Sequence, residues 1–184
     1  NFDFIEGFEG GRLEYQSFIS KESANSNLKI KDFKVSKVPA LAKLLTLASL
    51  QGIADTLGGE GIRFESFEMQ STTEGNVINI EDAIAIGPAV SLLLDGYIDK
   101  GKVVSLSGTL VPATKLNSII ASIPVVGDIL VGKKTGDGVV GVSFKMKGPP
   151  KNIKTTVNPI KTLTPRFIIR ALEKMKKSKK EKIK

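Results

Sequence analysis

Apolar and polar residues alternate with a period of two along most of the chain, in short runs separated by tight turns. This alternation is typical of β-strands that bury one face. The turns carry Gly, Pro, Asn or Asp, as tight turns require. The pattern predicts about eight short strands in an antiparallel meander, a mainly β fold. The clearest alternating residues are Ile78, Ile80, Ile84 and Ile86; Leu92, Leu94 and Ile98; Val104, Leu106 and Leu110; and Val140, Val142, Phe144 and Met146.

Weaker alternation predicts the remaining strands, near residues 13–19, 28–35, 62–72 and 153–157. The apolar phase changes between Ile30 and Phe33, which predicts a β-bulge near Asp32. Asp82 stands in phase with the isoleucines around it. Either a second bulge or an open, solvent-exposed end of the sheet would account for a carboxylate at that position.

Two segments show helical spacing instead, residues 39–57 and residues 113–130. Pro39 is well placed for a helix start, and both segments carry apolar residues at i, i+3, i+4 and i+7. Two short helical insertions are too few to cover about eight apolar strand faces. The pattern alone favours a sheet closed into a barrel or sandwich. The alternatives are a sheet wrapped around the helices and an open apolar face that binds an apolar ligand.

The chain of 184 residues contains no His and no Cys. Ser-His-Asp and Cys-His catalysis and Cys/His zinc sites are therefore excluded.

Two segments match G-x-x-x-x-G-K, at residues 96–102 and 127–133, but Val103 and Lys134 stand where a phosphate loop needs Ser or Thr. Both segments are interpreted as turns. The acidic residues Glu65, Glu68, Glu81 and Asp82 suit solvated or edge positions better than acid–base catalysis. We expect no catalytic residues, no metal and no cofactor.

The net charge of +8 is concentrated at the end of the chain. Residues 166–184 hold nine basic and two acidic residues, so residues 1–165 carry only +1. This division predicts a β-rich domain over residues 1–165 and a basic amphipathic helix with a disordered tail over residues 166–184. The helix is suited to an anionic membrane surface or a partner protein, or it packs on the body as a terminal helix. A neutral body disfavours nucleic-acid binding. The basic face of this helix carries Arg166, Arg170, Lys174 and Lys177.

Three blocks of sequence resemble the AsmA-like C-terminal region of bacterial envelope proteins of the YhdP type, within the AsmA/TamB-like bridge lipid-transfer superfamily. The resemblance covers roughly residues 28–165, in the order expected for that region. The first block is ASLQGIADTLGGEGIRF at residues 48–64. The second begins with LSGTLVP at 106–112 and continues through IPVVGDIL at 123–130. The third is GVVGVSF at 138–144, followed by VNP at 157–159 and LTP at 163–165.

The resemblance implies a long periplasmic protein of the cell envelope, anchored in the inner membrane by a segment upstream of this chain. The chain begins at Asn1 without a signal-peptide pattern, which fits a piece of a longer protein. Such proteins are associated with phospholipid transfer between the membranes and with the integrity of the outer membrane. They bring no catalytic residues and no cofactor.

The implied fold is a curved, groove-like or half-barrel antiparallel sheet, with two short helical insertions and the C-terminal basic helix. The fourteen clearest alternating residues are expected to line an apolar groove that binds phospholipid acyl chains. The helices either plug this groove or gate it. The rival hypothesis is a non-enzymatic scaffold or protein-interaction domain with a self-closed β core, and a carboxylate-based hydrolase is a distant third.

Overall fold

The computed structural model describes residues 7–113 and 141–160. They form one eight-stranded antiparallel meander in which every strand pairs with its neighbours in sequence. The predicted mainly β meander is therefore confirmed. The elements are β1 (Phe8–Ile19), β2 (Ser23–Val35), α1 (Pro39–Leu47), α2 (Gln51–Gly58), β3 (Ile62–Glu74), β4 (Val77–Ile86), β5 (Val90–Asp99), β6 (Val103–Pro112), β7 (Gly141–Gly148) and β8 (Lys154–Ile160).

The sheet is open, with β1 and β8 as its two edges, so the closed barrel or sandwich favoured by the residue pattern is wrong. Part of the apolar inner face is covered by helices instead. Both α1 and α2 come from the first predicted insertion, between β2 and β3. The second predicted insertion, after Ala113, and the predicted C-terminal helix lie outside the described residues.

The sheet is strongly curved. Phe8 on β1 and Phe144 on β7 line the same cavity. In a flat sheet these strands would be separated by six strand spacings, or about 29 Å. The strands therefore wrap into a trough, whose inner face is the one that carries Phe33 and Phe144. The trough has a helix end, where α1 and α2 connect β2 to β3, and a hairpin end, where the β1–β2, β3–β4, β5–β6 and β7–β8 turns lie.

The main hydrophobic core lies at the helix end. Leu45 on α1 and Leu57 on α2 have no solvent exposure. They belong to one buried cluster with Phe33, Leu110 and Phe144 from the inner face of the sheet. The helices therefore fill this end of the trough. Without them, leucine and phenylalanine side chains of several strands would be in contact with water.

The predicted change of phase near Asp32 is present, but it is not a bulge. Asp32 has a positive φ of 52°, and the register on both sides of it continues without an inserted residue. Gly11, with a φ of 88°, lies beside it on β1. In β2 the inner face is carried by Ile30 before this point and by Phe33 after it. A local backbone inversion therefore keeps apolar side chains on one face.

Glu9 connects β1 to the end of β2. Its carboxylate accepts a hydrogen bond of 2.9 Å from the Ser36 hydroxyl and lies 3.1 Å from the Lys34 ammonium. Both contacts, first of all the Ser36 hydrogen bond, hold the pKa of Glu9 below the ordinary value of a glutamate. These contacts stabilise the fold fully at pH values above the Glu9 pKa of the unfolded chain. Their contribution is lost as the pH falls through the lower Glu9 pKa of the folded protein.

We expect an NMR titration of the Glu9 carboxyl carbon to show a midpoint below that of a glutamate in an unstructured model peptide. In Ser36→Ala the Glu9 midpoint should move up towards the ordinary value, because the strongest contact with the charged form is removed. An unchanged midpoint in that variant would contradict the assigned hydrogen bond.

Candidate functional site

The inner face of the trough is apolar across the central strands. Cross-strand partners on one face of an antiparallel ladder lie directly opposite each other. The register pairs Leu92 with Leu110 and Leu106 with Met146, so these rows share the face of Phe144. The predicted groove residues on this face are Ile78, Ile80, Leu92, Leu94, Ile98, Val104, Leu106, Leu110, Val142, Phe144 and Met146.

Two predicted groove residues, Ile84 and Ile86, lie on the opposite face, and their assignment was wrong. The register between β4 and its neighbours shifts between Ile80 and Ala83. A shift of one residue turns every following side chain to the other face. After it, alanines face the trough, and the two isoleucines are buried on the outer face at 4% and 7% exposure.

The same shift explains Asp82, which lies in phase with Ile84 and Ile86 rather than with Ile80. Of the two explanations left open for that carboxylate, a bulge and an open end of the sheet, the structure has the bulge, in β4. Val140 and the basic residues Arg166, Arg170, Lys174 and Lys177 lie outside the described residues.

A cavity of about 210 Å³ lies under α1, between the helix and the inner face of the sheet. Four predicted groove residues line it: Leu92, Leu94, Phe144 and Met146. The other lining residues were not predicted as part of a site. They are Phe8, Phe33, Val35, Val38, Ala40, Leu41, Leu44, Phe64, Phe67 and Ala85.

Aromatic rings form one wall of this cavity. Phe33 stacks on Phe8 with ring centroids 5.4 Å apart and on Phe64 at 5.5 Å. Phe33 and Phe64 are directly opposite on β2 and β3. Offset-stacked rings contribute beyond the area they bury, so this wall is a stable surface. The sequence shows these residues as apolar strand positions but not which of them meet a helix.

The cavity is lined by apolar side chains alone. It is larger than apolar cavities of about 150 Å³ that stay dry and bind benzene. It also reaches the surface, because Ala40 is exposed and Leu92, Leu94 and Met146 are only partly buried. The arrangement can hold a hydrocarbon group, and it offers that group no acid, base or nucleophile.

The apolar surface continues from the cavity towards the hairpin end. Ile78, Ile98 and Leu106 are partly buried there, and none of them belongs to the cluster that contains the helix leucines. Near the β1 edge the surface becomes amphipathic. The Tyr15 hydroxyl lies 3.0 Å from the Ser26 hydroxyl, and hydrogen bonds with Ser26 and Ser17 lower the pKa of Tyr15.

The acidic residues considered for catalysis lie on the neighbouring strands β3 and β4. Glu65 and Glu81 are exposed, and the Thr72 hydroxyl donates a 3.0 Å hydrogen bond to Glu81. Among residues 7–113 and 141–160, no group of three acidic side chains is placed to hold a metal ion. The G-x-x-x-x-G-K segment at residues 96–102 is the end of β5 and its hairpin turn, where Lys102 lies 3.5 Å from Asp99.

Neither helix in the described part of the chain is both long enough and apolar enough to cross a bilayer. Comparison of the chain with protein-family models, with curated proteins and with solved structures finds no match.

Proposed function

We propose that the protein binds phospholipid acyl chains in the apolar trough and takes part in lipid transport between the membranes of a cell envelope. The observation that carries the proposal is the cavity under α1, which is lined only by apolar side chains and opens onto further apolar sheet surface. Binding by apolar contact needs no catalytic group, which fits a non-enzymatic role.

The dimensions of the trough suit an acyl chain. From Leu94, at the cavity, to Asp99, at the end of β5, the strand advances by about 17 Å. One leaflet of a bilayer contributes about 15 Å of hydrocarbon. Each methylene removed from water contributes about 0.8 kcal/mol, so ten methylenes contribute about 8 kcal/mol before the cost of ordering the chain. Such binding is moderate and reversible, as release to a second membrane requires.

The envelope setting is supported by the resemblance of three sequence blocks to the AsmA-like region. In this proposal the chain is the C-terminal part of a periplasmic protein anchored in the inner membrane. Its basic face at Arg166, Arg170, Lys174 and Lys177 then contacts anionic headgroups or an envelope protein. Transport by this part of the protein would maintain the outer membrane.

The rival hypothesis, a scaffold or interaction domain with a self-closed β core, loses its structural premise because the sheet is open.

The proposal is tested by closing the mouth of the cavity with Ala40→Trp. Ala40 is exposed and lines the cavity, so an indole at this position competes with a ligand without disturbing the core. We expect uptake of a fluorescent phospholipid to fall at least about tenfold, a loss of about 1.4 kcal/mol. Lipid co-purifying with the protein, measured by native mass spectrometry and extraction, should fall in parallel.

Thr46→Trp is the matched control, because Thr46 is an exposed residue of the same helix that does not line the cavity. Its uptake should equal that of the unmodified protein. The proposal fails if the unmodified protein neither carries lipid nor takes up the fluorescent phospholipid. It also fails if both tryptophan variants bind as well as the unmodified chain.

A further inference from the structure

Hydroxyl groups replace apolar side chains on one part of the inner face, near the hairpin end. Ser71 follows the cavity residue Phe67 on β3 at an even spacing, so both side chains lie on the inner face. Ser26 of β2 is directly opposite Ser71, and Ser17 of β1 is directly opposite Ser26. Tyr15 shares this face with Ser17. Tyr15, Ser17, Ser26 and Ser71 are called the hydroxyl cluster below.

The hydroxyl cluster has more hydrogen-bond donors than it uses. The hydroxyls of Tyr15 and Ser17 each lie 3.0 Å from the Ser26 hydroxyl. Three hydroxyls carry three donor protons, and the two hydrogen bonds among them use two. Ser71 is buried, with 8% exposure, and no hydrogen bond of its hydroxyl is present among residues 7–113 and 141–160. At least two donor protons are therefore free to bond a ligand in the trough.

The surroundings of the hydroxyl cluster are apolar and uncharged. Ser71 lies directly opposite Ile80 of β4, and the next inner-face pair towards the helix end is Leu28 with Met69. The charged residues of these strands alternate with the inner-face residues, as in the outward pair of Glu14 and Lys29. A ligand at this place therefore meets neutral hydrogen-bond donors next to apolar side chains.

We propose that the hydroxyl cluster binds the ester carbonyl groups of a phospholipid whose acyl chains extend along the trough to the cavity under α1. The proposal rests on the proposed function, and it names the linkage chemistry and the orientation of that lipid. An ester carbonyl accepts hydrogen bonds, donates none and carries no charge. It joins the acyl chain to glycerol, so it stands where polar and apolar contacts must meet. A phosphate is matched better by Arg or Lys, and the hydroxyl cluster contains neither.

The distance along the sheet fits this orientation. From Ser71 to Phe67, which lines the cavity, strand β3 advances by about 14 Å. The hydrocarbon of one bilayer leaflet is about 15 Å thick. An ester bound at the hydroxyl cluster therefore brings the end of its acyl chain to the cavity. The phosphate then lies on the opposite side of the cluster, towards the hairpin turns.

The linkage chemistry is tested with two phosphoglycerol lipids that have the same headgroup and the same chain length. One carries ester-linked chains, and the other carries ether-linked chains and lacks both carbonyl oxygens. The protein is incubated with an equimolar mixture, and the bound lipids are counted by native mass spectrometry. We expect at least about five ester lipids to be bound for each ether lipid, the factor that one net hydrogen bond contributes.

In the double variant Ser26→Ala, Ser71→Ala this ratio should fall to about one, because both sides of the hydroxyl cluster lose their donors. Ser71→Ala alone should not lower the free energy of unfolding, since the hydroxyl that it removes has no partner to lose. Ser105→Ala is the matched control. Ser105 precedes the inner-face residue Leu106 on β6, so it lies on the outer face, and its variant should keep the ratio of the unmodified protein.

The outcomes separate the two proposals. Equal binding of the two lipids by the unmodified protein overturns the assignment of the hydroxyl cluster and leaves acyl-chain binding in place. A preference for the ester lipid that persists in the double variant overturns it as well. If neither lipid binds, the proposed function fails, and the assignment of the hydroxyl cluster fails with it.

Discussion

Replacing Leu45 with alanine is expected to lower the free energy of unfolding by about 3–5 kcal/mol, at the upper end for a leucine in a protein core. Leu45 is fully buried on α1. It belongs to the same cluster as Phe33 and Leu110 of the sheet, so the vacated volume is enclosed on several sides. Chemical denaturation followed by circular dichroism measures the change.

Leu47→Ala is the matched control for this prediction. It removes the same atoms from the same helix, but Leu47 is 43% exposed, so the loss should be below about 1 kcal/mol. The comparison also decides how the helices act. A helix that plugs the trough is part of its core, whereas a gate must detach at small cost. Similar losses for the two variants would contradict the plug and favour the gate.

Adding one methyl group at Gly108 is expected to destabilise the fold by about 2–3 kcal/mol or more. Gly108 lies directly opposite Phe144 on β7. A Cβ at this position would overlap the carbonyl oxygen of Leu93 and lie 2.6 Å from the Phe144 ring. Because Phe144 lines the cavity, Gly108→Ala should also weaken phospholipid uptake. The stability loss is read from denaturation curves, and uptake is measured in parallel.

Gly52→Ala is the matched control: it adds the same methyl group, but it is expected to raise the stability of the fold instead of lowering it. Gly52 lies in α2, and a Cβ there meets nothing within 4 Å. Alanine in place of a helical glycine stabilises by about 0.5–1 kcal/mol. If Gly108→Ala were as stable as the unmodified protein, the close packing of Phe144 over this glycine would be wrong.

The mainly β fold and the antiparallel meander were predictable from the sequence, because period-two alternation depends only on residues that are neighbours in sequence. The same local signal identified the helix start at Pro39 and the change of phase before Phe33. It did not decide whether the sheet closes, because closure depends on how much of the inner face the helices cover. Leu45 and Leu57 of α1 and α2 cover the helix end, and the edges remain apart.

The site was predicted in part. Leu92, Leu94, Phe144 and Met146 were expected in an apolar groove and line the cavity. Ile84 and Ile86 were misplaced because one extra residue in β4 reverses the alternation. Asp82 indicated an irregularity in the alternation, but the sequence left open whether it was a bulge or an open end of the sheet, so the reversal at Ile84 and Ile86 was not predicted.

The amino-acid sequence by itself determined which residues are apolar, the strand periodicity along the chain, and the exclusion of His- and Cys-based chemistry. Only the tertiary structure decided which alternating residues share a face, and which of them meet α1 around a cavity. Period-two patterns constrain each strand separately, whereas a trough depends on the relative register of eight strands and on their curvature. Those long-range relations place Phe8 of the first strand and Phe144 of the seventh around the same cavity.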